Sequence, residues 1–68
     1  MTEEITEIKV KHLLDHWIEH NEIHSKSFRD WAKKLKAANF GDVSECILLA
    51  ADKIDGSSVY LEKAKERI

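Results

Sequence analysis

Proline is absent and glycine occurs only twice, so little along this chain forces the backbone out of a helix. Aromatics make up 7% of the residues, and Cys46 is the single cysteine. These scarcities exclude a turn-rich β-sandwich, a collagen-like chain and a disulfide scaffold. A lone thiol closes no internal bridge, which predicts a reducing, cytoplasmic setting. Long apolar runs are missing as well. The longest, Ile47 to Ala51, falls far short of the ~20 residues a bilayer-spanning helix needs. The acidic start Met1-Thr2-Glu3-Glu4 lacks the apolar segment of a signal peptide. No membrane role is expected.

What is present is a 43% hydrophobic, 35% charged chain of 68 residues with a net charge of −2. That balance argues against disorder and for one helical domain spanning residues 1–68. Charge is distributed unevenly. Residues 1–24 sum to −4, residues 25–39 to +4 and residues 40–68 to −2. No face is basic enough to track a phosphate backbone, so nucleic acid is not an expected partner. The run Lys33, Lys34, Lys36 reads instead as cations at a helix C-terminus, where they complement the macrodipole.

Apolar spacing is the strongest signal. Val10, Leu14, Trp17, Asn21, His24, Phe28, Trp31, Leu35 and Ala38 alternate by four and three. Val43, Ile47, Ala50, Ile54, Ser57, Leu61, Ala64 and Ile68 do the same. Such stripes mark helix seams with a left-handed supercoil. Between them, Asn39-Phe40-Gly41-Asp42 offers a helix stop, then Asp42 as an N-cap with Glu45 completing a capping box.

Folding back at Gly41 predicts an antiparallel hairpin of two long helices. Leu35 then faces Ile47, Trp31 faces Ala50, Phe28 faces Ile54 and His24 faces Ser57. Lys26, Arg29 and Lys33 fall near Asp52 and Asp55, and Lys63, Lys65 and Arg67 return towards the acidic first half. A hairpin buries one seam only, so it is expected to dimerise into a four-helix bundle. Ile5, Leu13, Ile18 and Ile23 lie off the main stripe as a second contact face. A competing reading breaks the first segment at Ser25-Lys26-Ser27. It gives a compact three-helix bundle with helices over 3–24, 27–39 and 42–66.

All four histidines, His12, His16, His20 and His24, stand at intervals of four. Imidazoles one turn apart can chelate one metal ion, but a drift of about 40° per step limits a site to one adjacent pair. Further ligands would come from another helix or subunit, or from a carboxylate such as Glu19. Against this stands the plainer assignment of His24 to the buried seam and His12 to solvent. Packed neutral imidazoles could also sense pH near ~6.5.

His16-Trp17-Ile18-Glu19-His20 matches the H-x-x-E-H signature of zinc proteases, but a protease needs a third ligand and a cleft that this chain is too small to build. Glu-x-x-His and Gly-rich phosphate loops are absent, so no enzyme activity is expected. Trp17, Phe28 and Trp31 read as core aromatics or as a groove for another helix. Asn21 in the seam would fix register. Cys46 reads as a small apolar filler beside the second stripe.

The stretch His12 to His24, followed by Ser27-Phe28-Arg29-Asp30-Trp31-Ala32, resembles a family of small uncharacterised helical domains of archaea and bacteria. Its pattern is H-L-L-x-H-W-x-E-H-N-x-x-H followed by F-R-x-W-A. Some of its members are associated with small nickel-binding proteins of carbon monoxide dehydrogenase maturation. The resemblance marks His12, His16, Trp17, Glu19, His20, Asn21, His24, Phe28 and Trp31 as belonging together. Gly56-Ser57-Ser58 departs from the uniformly helical tail that it implies. Two functions therefore stand: a structural, protein-interaction or self-association module working as a homodimer or with a protein partner, and a nickel- or zinc-handling module.

Overall fold

The structure, a computed structural model, describes residues 4–68. Two helices form an antiparallel hairpin: α1 over Glu7–Ala37 and α2 over Gly41–Glu66. No strand occurs among the described residues. The three-helix alternative is overturned, because α1 runs unbroken through Ser25-Lys26-Ser27. Ser25 is buried against α2 rather than capping a new helix. Likewise α2 runs unbroken through Gly56-Ser57-Ser58.

Local chemistry sets the ends. Thr6 caps α1, its hydroxyl accepting from the Lys9 N–H at 3.2 Å, so the helix starts later than residue 3. At the other end Asn39 adopts φ 69°, the left-handed conformation that Asn tolerates better than most residues. The Phe40 N–H then donates to the Leu35 carbonyl at 2.8 Å and the Asn39 N–H to Lys36 at 3.2 Å. These two bonds are the Schellman closure of a helix. Lys34 and Lys36 occupy that last turn, as the dipole favours. The capping box at Asp42 and Glu45 does not form. Phe40 is already the N-cap of α2 without a side-chain bond, and Asp42 sits inside the first turn.

The connection is therefore only Ala38–Phe40, and it fixes the register tightly. Ser44 Oγ donates to the Ala32 carbonyl at 2.7 Å, and Asn21 Nδ2 donates to Ser58 Oγ at 3.2 Å. Lys65 Nζ meets Asp15 Oδ1 near the open end of the hairpin. Asn21 thus holds the seam position expected of it.

The seam itself differs from the expected one by a rotation. Buried along α1 are Leu14, Ile18, Ser25 and Ala32, and along α2 Ser44 and Ala51. Leu14 stays buried, and Asn21, Phe28 and Leu35, like Ile47, Ile54 and Leu61, are half-buried. The alternate positions move by one residue, from Trp17, His24 and Trp31 to Ile18, Ser25 and Ala32. On α2 they move from Val43, Ala50 and Ser57 to Ser44, Ala51 and Ser58. Small side chains explain the change. Ala32 and Ala51, 1% and 0% exposed, let the helices approach where Trp31 would hold them apart. Ile18 is consequently seam, not second face, and Cys46 is exposed rather than a filler.

The result is a rod. Its axes span 51 × 24 × 15 Å with a radius of gyration of 16.0 Å. A compact chain of this length would have about 11 Å. Its accessible surface of 5793 Å² exceeds the roughly 4,400 Å² expected of a compact monomer of 7.9 kDa. Among the described residues no large side chain is fully buried.

Candidate functional site

A two-helix layer has two open sides, and the rotation decides what each displays. Consecutive helical residues are turned by about 100°. In an antiparallel pair, residues one position before the buried ones fall on the same side in both helices. That side carries Trp17, His24 and Trp31 from α1 and Val43, Ala50 and Ser57 from α2. Residues just after the buried ones fall on the opposite side.

The opposite side holds the ion pairs, together with the exposed Leu48 and Val59. Arg29 Nη2 lies 2.9 Å from Asp52 Oδ1 and 2.6 Å from Asp55 Oδ2. Hydrogen bonds to Asp52 and Asp55 raise the guanidinium pKa further above its ordinary value. Hydrogen bonding from Ser25 and then from Arg29 holds the Asp55 carboxyl below its ordinary range. The bond to Asp15 raises Lys65. Of the cations expected to pair across the hairpin, Arg29 and Lys65 do so. All these groups are solvated, so they select register more than they stabilise it.

The first side is apolar and aromatic. Trp17 is 45% exposed and Trp31 56%, so the expectation that both are core does not hold within one chain. Val43 is exposed beside them, and Phe28, Leu35, Ile47, Ile54 and Leu61 are only half-buried from that side. Lys34 Nζ sits 4.7 Å above the Trp31 ring, an exposed cation–π contact. Both tryptophans of the chain lie here.

The histidines edge this face, and they are not equivalent. His16 and His20 stack with centroids 6.0 Å apart, His20 and His24 meet edge to face at 4.4 Å, and His24 leads to Phe28 at 6.2 Å. His24 is exposed rather than buried opposite Ser57. Its Nε2 lies 2.9 Å from His20 Nε2, so one ring donates its N–H to the bare nitrogen of the other. His12 stands apart, lining with His16 a shallow groove of Ile5, Ile8, Val10 and Leu13 at the overhanging start of α1. Glu19 is exposed. Among the described residues no group of three or more His, Cys, Asp or Glu converges on a point that could hold a metal ion. A single chain offers a chelating pair only.

Sequence reasoning missed Ser25, Ala32, Ser44, Ala51 and Ser58 as the residues that set the rotation. Their signal was available: small side chains recurring at sevens, on 25 and 32 in α1 and on 44, 51 and 58 in α2. No helix among the described residues is long and apolar enough to cross a membrane.

The chain belongs to a family described as a domain of unknown function, DUF8180, which matches residues 10–68. The match spans both helices and the turn, and includes all four histidines and both tryptophans. No curated protein and no solved structure matches the chain.

Proposed function

We propose that this family member is a non-enzymatic self-association module whose hairpin pairs with a second copy through the Trp17–Trp31 side to form a four-helix bundle. One observation carries the reading: the four-three stripes of both helices converge on a single open side, while the other side holds the ion pairs. A helix in a four-helix bundle has two neighbours, and its apolar stripe points between them. Here one neighbour is the other helix of the hairpin. The half of each stripe that it does not cover is Trp17 and Trp31, Val43 and Ala50.

Area supports the same occupant. The surface in excess of a compact monomer is roughly 1,400 Å², above the ~800 Å² that each partner contributes to a standard interface. Aromatic side chains in the middle of such a patch are the usual carriers of binding energy. A second copy satisfies the symmetry with no further assumption.

Sedimentation equilibrium of the full chain tests the proposal. The expected mass is twice the 7.9 kDa of one chain, reverting to one chain in Trp31→Lys. A wild-type monomer at tens of micromolar would overturn it.

A further inference from the structure

The exposed stripe of α1 that borders the open face has a symmetry of its own. Leu13, Trp17, His20, His24, Ser27 and Trp31 are spaced four, three, four, three and four, which reads the same in both directions. The centre of that pattern is position 22. The centre of α1, Glu7–Ala37, is also position 22. Two copies of α1 laid antiparallel in full overlap therefore place His20 against His24 of the partner subunit and Leu13 against the partner's Trp31. Trp17 meets the partner's Ser27, so a bulky ring faces a small residue. The imidazoles sit in the middle, on the two-fold axis, with apolar contacts on either side of them.

Each copy brings its pair already gathered. The 2.9 Å between His20 Nε2 and His24 Nε2 is about 0.4 Å short of the ~3.3–3.4 Å that tetrahedral bonds of ~2.0–2.1 Å impose, a gap that a small side-chain rotation opens. The chain supplies no third ligand among its described residues, so one copy leaves the coordination half complete. Four nitrogen ligands suit a borderline divalent transition-metal ion and not calcium or magnesium, which prefer oxygen. Resting on the self-association reading, we infer that the dimer binds one such ion between the two His20–His24 pairs, with zinc as the best match to a tetrahedral nitrogen set. Binding needs both Nε2 lone pairs, so the imidazole that donates in the metal-free chain moves its proton to Nδ1. His12 and His16 take no part.

Calorimetric titration of the metal-free 68-residue chain with zinc(II), followed by cobalt(II) as a spectroscopic probe, tests this. One ion per two chains is expected, with the intense visible bands of tetrahedral cobalt. His20→Ala and His24→Ala should each weaken binding by at least ~100-fold, while His12→Gln should not change it; loss of even an outer partner of a metal ligand costs 10–100-fold. Both altered positions are exposed, and circular dichroism should show the helices intact. One ion per chain, octahedral cobalt, or wild-type affinity in His20→Ala would overturn the inference. Sedimentation in the same buffers separates the two failures. A metal-free dimer that binds zinc no better than His20→Ala removes the metal site and leaves self-association standing. A monomer with and without zinc removes both.

Discussion

The two open sides of the hairpin are built from neighbouring residues and could hardly differ more. On one, Arg29 spans Asp52 and Asp55 within the chain. On the other, Trp17, Trp31 and Val43 present about half of their surface outward, with Lys34 over the Trp31 ring. The first side is finished by intramolecular contacts worth little individually in water. The second carries apolar surface worth about 25 cal/mol per Å² once covered. On the proposed self-association, the second side is one half of a shared core.

The largest effects should come from the apolar side. Trp31→Lys is expected to weaken dimerisation by about 2–4 kcal/mol, the range of an aromatic hot spot, in a sedimentation dilution series. Arg29→Ala, on the ionic side, should leave the dimer constant within about threefold. Equal losses in the two variants would erase the distinction between the sides.

Next come the residues that hold the layer together. Ala51→Leu forces a larger side chain into a position with no free surface and should destabilise by about 1–3 kcal/mol in urea unfolding. Ser44→Ala removes the buried hydrogen bond to the Ala32 carbonyl and should cost about 1 kcal/mol. Gly56→Ala should act in the opposite direction. A methyl there meets nothing within 4 Å, and glycine inside a helix costs about 1 kcal/mol relative to alanine.

The smallest effect belongs to the ionic side and to acid. Asp55 titrates below its ordinary value of 3.8 in the folded chain. A carboxyl whose folded pKa is depressed adds stability above its unfolded pKa and loses it as pH falls through the folded pKa. Urea midpoints should therefore drop slightly below pH ~4, and less so in Asp55→Asn. An identical acid slope in both proteins would assign that drop to other carboxylates.

Much of the fold was legible because helix formation and hairpin register are local matters. Unbroken phase through Ser25 and Ser57 identified two helices, and Asn39 with Gly41 located the turn to within a residue or two. Opposite charges at Arg29 and Asp52–Asp55 agreed with the register found. The rotation was not legible from the stripe alone. A four-three stripe gives the centre of an apolar sector, and a helix with two neighbours does not point that centre at either. Trp17, His24 and Trp31 were accordingly assigned to a seam that Ile18, Ser25 and Ala32 occupy. Only side-chain volume, small at 25, 32, 44 and 51, distinguishes the close helix pair from the open side. The histidine pair was legible as i, i+4 spacing, but its edge-on contact at 2.9 Å required coordinates.

Because both tryptophans lie on the open side, their fluorescence reports on that side and nothing else. Emission and acrylamide quenching should be followed from about 100 µM to below 1 µM. Self-association through this face predicts shielded, blue-shifted tryptophans at high concentration that become quenchable on dilution, while circular dichroism stays helical. Tryptophans equally quenchable at every concentration would contradict it.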